Sequence, residues 1–333
     1  MKTILITGGT GYIGSHCVIS LSKKGIRPIV VDNFSNSRHD IIYKIEQIVK
    51  KKIIFYNIDL RDKVKLNLIF KKHKIFSVIH CAGYKSITES IEKPIKYFDN
   101  NINTTLSLVD VMNKNKVYKL IFSSSATVYN QDQPLPWKEN YKVGDVTNPY
   151  GMSKYLIENI LKNISLNNNN WKIVIARYFN PISNHSSGLI FENPKDKPNN
   201  LMPYIVKVAK GKLPCLYVYG SNYPTRDGTC IRDYIHVMDL ADGHVALLKT
   251  FKKINNFEIF NFGTGKGVSV LEIIKTFTQV TGINIPIKYT KRRKGDLPEF
   301  YCCPKKAKRI LKWKSKRNLN ISMYDIIKVL EQN

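Results

Sequence analysis

Six short apolar runs, each followed by a stretch of helical periodicity, dominate the first 180 residues and leave the chain few folds to choose from. The runs are "TILITGG", "RPIVVDN", "IIFYNIDLRD", "FSVIHCAG", "KLIFSSSATVY" and "WKIVIARYFN". They are apolar throughout rather than alternating, so both faces of each strand must be buried. Between them lie "GSHCVISLSKKG", "DIIYKIEQIVKKK", "KLNLIFKKH" and "TLSLVDVMNKNK". In the first of these, Cys17, Val18 and Leu21 recur at helical spacing, with Gly25 as a C-cap candidate. Buried strands alternating with helices predict an α/β fold, a Rossmann-type doubly wound parallel sheet.

After Asn180 the rhythm changes. "PISNHSSGLIFENPKDKPNNLMP" is rich in Pro, Asn and Ser and predicts a long functional loop. Beyond it, "YIVKVAKGK", "MDLADGHVALLKTF", "VSVLEIIKTFTQVTG" and "NISMYDIIKVLEQ" read as helices, and "CLYVYG", "RDYIHV" and "IFNFGTG" as strands. The expected layout is a nucleotide-binding domain over 1–180 and a smaller α/β substrate domain over 181–333, with part of 231–265 returning to the first.

Composition bounds the function classes. The net charge of +28 admits a polyanion partner. The lysines are dispersed, however, and the abundance of Lys, Asn and Ile fits the codon bias of an AT-rich genome, so no nucleic-acid role is expected. The opening "MKTILITGG" does not read as a signal peptide, and no apolar run approaches the roughly 20 residues of a membrane span. The six cysteines form no CxxC pair, which suits reduced thiols in a cytoplasmic compartment. No metal-ligand pattern stands out.

Two constellations carry chemistry. "GGTGYIG" sets Gly8, Gly11 and Gly14 at the turn from the first strand into the first helix, where a pyrophosphate would meet backbone N–H groups and the positive helix end. Asp32 closes the second strand, where a carboxylate accepts from a ribose diol and repels a 2′-phosphate. That favours NAD over NADP, although Arg38 and Lys44 follow nearby. The second constellation begins with "SSSATVY", which places serines Ser123 to Ser125 at the carboxyl edge of the sheet. Asn148 and Pro149 then open a helix on which Tyr150 and Lys154 stand at i and i+4, on one face. An ammonium near a phenol favours the phenolate, which can take a proton from a hydroxyl while hydride leaves the same carbon. The pair alone is equally at home on a solvated helix face.

The motifs "TGGTGYIGSH", "VDNFSNS", "NIDLRD", "HCAGYKSITES", "DNNINTTL", "FSSSATVYN", "NPYGMSK", "RYFNP", "NNLMPYI", "RDYIHVMDLADGH", "NFGTGKGVSVLE" and "RRKGDLPEFY" together resemble the UDP-glucose 4-epimerase family of extended short-chain dehydrogenases/reductases. The resemblance runs from Met1 to about Ala307. It implies reversible interconversion of UDP-galactose and UDP-glucose through a 4-keto sugar, with bound NAD⁺, in a homodimer. It gives Tyr150 the role of base toward the sugar 4-OH, Ser125 a shared hydrogen bond, and Lys154 the nicotinamide ribose. It adds Tyr12, Ile13, Asn33, Asn36, Asp59, Leu60, Cys81, Ala82, Gly83, Lys85, Asn100 and Phe179 to the cofactor's surroundings. Asn180, Asn200, Leu201, Tyr217, Tyr219, Arg232, Arg293, Asp296 and Phe300 would line the UDP-sugar, with Lys85, Ser125 and Tyr150 shared. Forked guanidinium groups at Arg232 and Arg293 suit a diphosphate.

Three departures from the family pattern stand out. Met152 replaces the lysine common after "YG", the 181–188 segment lacks the usual small, glycine-containing loop, and Phe300 supplies bulk where other members carry a small residue. Bulk there implies poor turnover of UDP-N-acetylhexosamines. The related 4,6-dehydratases carry an acidic pair after the strand-five serine or threonine, whereas this chain has Ala126 and Thr127. A reductase using NADPH would want a basic 2′-phosphate site in place of Asp32. A catalytically dead NAD sensor would share the fold but need not keep Ser125, Tyr150 and Lys154.

Overall fold

The structure, a computed structural model, describes residues 2–195, 198, 200–293 and 295–332. Asp196, Lys197 and Asn199 of the predicted long loop and Lys294 of "RRKGDLPEFY" lie outside the described residues. The six apolar runs form β1 (Thr3–Thr7), β2 (Arg27–Asp32), β3 (Ile54–Asn57), β4 (Ile75–His80), β5 (Lys119–Ser125) and β6 (Lys172–Tyr178). The helices among and after them are α1 (Tyr12–Lys23), α2 (Asp40–Val49), α3 (Lys63–Lys72), α4 (Ile87–Glu92), α5 (Pro94–Phe98), α6 (Thr104–Lys114) and α7 (Pro149–Asn167). A π-helical turn, Asp99–Asn103, joins α5 to α6.

Later strands are short: β7 (Asn180–Ile182), β8 (Leu216–Tyr219), β9 (Ile231–Arg232), β10 (Tyr234–His236), β11 (Phe257–Phe262), β12 (Val268–Ser269), β13 (Ile287–Thr290) and β14 (Glu299–Phe300). With them run α8 (Leu201–Ala209), α9 (Val237–Thr250), α10 (Val270–Thr281) and α11 (Leu319–Leu330).

The main sheet has the order β11-β6-β5-β4-β1-β2-β3, and its neighbours are parallel. Successive side chains along each strand enter opposite cores. Ile4, Ile6 and Val30 pack on one face, and Leu5, Ile29, Val31 and Val78 on the other. This is the physical meaning of the unbroken apolar runs. β11 joins beside β6, and α9, which precedes it, packs against α1 with Ser20 donating to Asp242 at 2.6 Å. A third core gathers Met202, Ile205, Val218, Ile273, Phe277 and Ile326 between α8, α10, α11 and β8.

Several elements differ from their sequence reading. "RDYIHV" is not one strand. It breaks at Asp233, with β9 pairing to β12 and β14, and β10 to β7. The buried Asp233 carboxylate accepts from the backbone N–H groups of Thr264 (2.7 Å), Gly265 (2.9 Å) and Cys302 (3.2 Å). Satisfying a buried charge in this way outweighs continuing the ladder. α2 stops at Val49 because Lys50 turns left-handed (φ 54°). α8 starts at Leu201 rather than Tyr204, since Pro203 is tolerated in a first turn.

Candidate active site

The carboxyl ends of β1, β2, β4 and β5 open on one cleft of about 220 Å³. Gly8, Gly11, Tyr12, Ile13, Gly14, Asp32, Asn33, Asn36, Asp59, Leu60, Cys81, Ala82, Gly83, Lys85, Asn100, Tyr150 and Lys154 all line it. Gly14 must be bare, because a Cβ there would lie 2.2 Å from the Gly8 carbonyl oxygen. No side chain caps α1, so its first N–H groups face the cleft without a protein partner of that kind. The Asp32 carboxylate is fixed by Thr10 N–H (3.0 Å), Phe34 N–H (2.9 Å) and Ser37 Oγ (3.1 Å). Arg38 lines this end of the cleft as well and faces Asp40 at 3.6 Å, while Lys44 pairs with Asp40 at 2.8 Å. Asp59 accepts from Arg61 and Asn33, and Arg61 holds its carboxyl below the usual range.

The three serines of β5 have separate partners. Ser123 meets Tyr178 Oη (2.7 Å) and donates to Cys81 Sγ (3.1 Å). Ser124 donates to Glu158 (2.5 Å), whose carboxylate also takes Arg177 (2.6 Å) in a buried ion pair. Ser125 accepts from Thr127 N–H (3.3 Å) and Thr127 Oγ1 (3.0 Å). Asn148 caps α7 by accepting from Gly151 N–H at 2.8 Å, with Pro149 at its first position. Burial raises the Tyr150 phenol above 10, and the Ser125 hydroxyl opposes the rise.

The Lys154 ammonium has partners of its own. The Lys154 Nζ donates to the Ser123 carbonyl (2.8 Å) and stands over the Phe122 ring (4.7 Å). Burial brings its own pKa down to about 8, against the opposing pull of Cys81 and Glu158. Met152, on the same helix, is half-buried.

Phe179 is not on the cleft. Its ring packs between Trp137 (6.4 Å) and Phe300 (6.0 Å) in a small apolar cluster, because the chain kinks between β6 and β7. On the sugar side, Phe300 stacks on Trp137 (5.2 Å, 7°), and Arg232 covers it at 4.5 Å while facing Asp296 at 3.7 Å. Arg293 lies 3.9 Å from the Tyr219 ring. Tyr217 and Tyr219 share the exposed face of β8. Asn200 donates to Glu192 (2.7 Å), beside Leu201 at the head of α8. The buried Asn180 Oδ1 meets no donor among the described residues.

The NAD dependent epimerase/dehydratase family matches residues 4–263. The UDP-glucose 4-epimerase of Yersinia enterocolitica is 48% identical over 331 residues, 99% of this chain and 98% of its own. The solved UDP-glucose 4-epimerase of Bifidobacterium longum, in complex with NAD+ and UDP, is 44% identical with a TM-score of 0.96 over 100% of this chain and 99% of its own. A UDP-Glc/GlcNAc 4-epimerase from Campylobacter jejuni is 31% identical with a TM-score of 0.85, covering 100% of both chains.

The chain belongs to the NAD-dependent epimerase/dehydratase family.

The cleft of this family member fits the dinucleotide on its own geometry: a glycine cradle against an uncapped helix end, and a held carboxylate at the ribose end. It also has walls that periodicity could not show. Ile190, Phe191, Glu192, Asn193 and Pro194 line it from the predicted long loop, and Lys195 donates to the Phe34 carbonyl at 2.8 Å. Tyr12 Oη donates to the Ser183 carbonyl at 2.7 Å, tying that loop to α1. Ser37, Tyr84, Thr104 and Tyr178 line the cleft as well. Glu192 pairs with Lys85, and nothing in the "FENP" sequence announces it.

Proposed function

We propose that this chain interconverts UDP-galactose and UDP-glucose through a 4-keto sugar, the UDP-glucose 4-epimerase reaction of galactose metabolism, with Tyr150, Ser125 and Lys154 as its catalytic residues. The observation that carries the reading is a phenol and a buried lysine from one face of α7, both lining a dinucleotide cleft, with no acid at Ala126 or Thr127. NAD, when bound, takes the C4 hydride and returns it. Tyr150 removes the 4-OH proton and gives it back after the hexose has turned. Lys154, at the nicotinamide ribose, supplies positive charge on the cofactor side.

Arg232 and Arg293 hold the diphosphate, with Asn200, Leu201, Tyr217, Tyr219 and Asp296 around the nucleotide. The hexose stays loosely held between Lys85, Asn180 and Phe300 so that either face of C4 can be presented. In this reading, 1–180 serves the cofactor and 181–333 the UDP-sugar, with 231–265 shared.

Purified protein given UDP-galactose and no added cofactor is expected to form UDP-glucose, and Tyr150→Phe is expected to abolish this. Absence of conversion with NAD shown to be bound would overturn the reading. A homodimer is part of the same proposal. α4, α5 and α7 pack together and leave Ile91, Ile95 and Leu156 facing solvent, an apolar face that a second copy would cover. Light scattering on the holoenzyme, with Ile95→Asp as the monomerising variant, tests it. We place the enzyme in the cytoplasm. No helix among the described residues is long and apolar enough to cross a membrane.

A further inference from the structure

We propose that Trp137 is a positioning residue for the sugar site: stacked on Phe300, it holds that ring both as the barrier to bulky hexoses and as the platform of the Arg232 guanidinium. The inference deepens the epimerase reading above and rests on it. Phe300 and Arg232 are register partners on the parallel pair β14 and β9, so their side chains emerge on one face. The guanidinium carbon lies 4.5 Å from the centre of the Phe300 ring. The Trp137 indole lies 5.2 Å from the same ring, with only 7° between the planes. Near-parallel rings at that separation are stacked with an offset, a favoured aromatic geometry. One phenyl ring therefore joins a buried indole to a diphosphate clamp.

Trp137 is a fixed support. Its backbone N–H donates to the Tyr301 carbonyl at 2.9 Å, and its carbonyl accepts from Cys303 N–H at 2.8 Å and from Asn261 Nδ2 at 3.0 Å. The backbone at Trp137 is thus tied on both sides to the chain that leaves β14, directly after Phe300. The indole N–H donates to the Gln133 carbonyl at 3.2 Å, and the Tyr129 ring packs against it at 5.3 Å. Trp137 is buried, whereas Phe300 is only half-buried. The support comes from the segment that leads into α7, so the sugar wall rests on the framework that carries Tyr150.

The arrangement has two consequences. Bulk at Phe300 excludes an N-acetyl group only if the ring cannot retreat. Removing the indole opens space behind the ring, and the sugar pocket widens with no change at position 300. The same retreat takes the platform from Arg232. The donors of a guanidinium lie in its plane, so the Ile231 carbonyl (2.8 Å) restrains its edge, while the ring restrains its tilt. A planar fork that grips a diphosphate needs both restraints. Discrimination between sugars and grip on the diphosphate share one support, and altering it moves both.

The test compares Trp137→Leu, which stays apolar but loses the ring, with Trp137→Phe, which keeps one, in the holoenzyme. In Trp137→Leu, kcat/KM for UDP-N-acetylglucosamine relative to UDP-glucose is expected to rise about tenfold. KM for UDP-galactose is expected to rise about fivefold. Its kcat and retention of NAD on gel filtration should stay within about twofold, a split that general loosening of the fold would not give. Trp137→Phe should return both readouts to within about twofold of the unaltered enzyme. In a Phe300→Ala background, Trp137→Leu should add less than about twofold to either readout, because the ring it supports is gone. An unchanged sugar ratio or an unchanged KM in Trp137→Leu overturns the inference, and so does full additivity with Phe300→Ala. If the leucine variant folds poorly, Trp137→Met decides on the same readouts. Should Tyr150→Phe remain active, it is the epimerase reading that fails. Should Tyr150→Phe be dead and Trp137→Leu silent, only this inference fails.

Discussion

The cofactor side and the sugar side of the site are built in opposite ways. On the proposed cofactor side, the working groups stand at the ends of strands of one sheet or on the helices packed against it, and each is held by neighbours. Asp32 has three donors, and Lys154 is buried with its ammonium on a backbone carbonyl. On the proposed sugar side, the groups hang from strands of two to four residues or from the segment between β13 and β14, and hold one another: Arg232 on Phe300 and Asp296, Arg293 on Tyr219. Tyr217 is 55% exposed. Hydride and proton transfer tolerate little displacement, so that chemistry sits where the backbone is fixed on both sides. A hexose that must turn over needs walls that grip its nucleotide and leave its ring free.

The contrast can be broken from either side. The largest effect expected is Tyr150→Phe, a loss of about 10³-fold in kcat with NAD retained, read by UDP-glucose formation and the spectrum of the released cofactor. Next is Glu158→Ala, which strands Arg177 as an unpaired buried charge and removes the anchor of Ser124. A loss of about 3–5 kcal/mol in urea unfolding is expected, and a loss under 1 kcal/mol would show that this pair does not secure α7 to β6. On the sugar side, Arg232→Leu should raise KM for UDP-galactose about 10- to 100-fold and leave NAD retention unchanged. That split would confirm that the two sides fail separately. The smallest effect expected is in specificity: Phe300→Ala should improve turnover of UDP-N-acetylglucosamine relative to UDP-glucose by about tenfold. Equal rates on the two sugars in the unaltered enzyme would remove Phe300 as the discriminator.

The same division governs what the sequence reveals. The six buried runs and the helices between them were legible because a strand covered on both faces has nowhere to place a polar residue. Gly14, Asp32 and the Tyr150 helix were legible with them: Asp32 closes a strand, Gly14 belongs to the glycine motif that follows the first strand, and Asn148 and Pro149 mark the start of the helix. The location of β11 was not legible in the same way. Its pairing with β6 is a choice of neighbour across some eighty intervening residues, and periodicity is silent on neighbours. Nor could the spacing of Tyr150 and Lys154 show that the ammonium turns to Ser123, or that burial dominates the phenol. Nor could periodicity show that the Phe179 ring packs with Trp137 and Phe300. Glu192 carries no pattern at all, since its meaning comes from which atoms happen to face it.

The Asp233 carboxylate has a use for anyone rebuilding this protein. It pins the backbone just after β11 and just after β14 to the break between β9 and β10. The turns leading into β9 and β14 therefore finish beside clamped positions, like interchangeable heads on a fixed handle. A library that varies those turns and leaves Asp233, Thr264, Gly265 and Cys302 untouched explores new sugars without loosening the grip on the hydride.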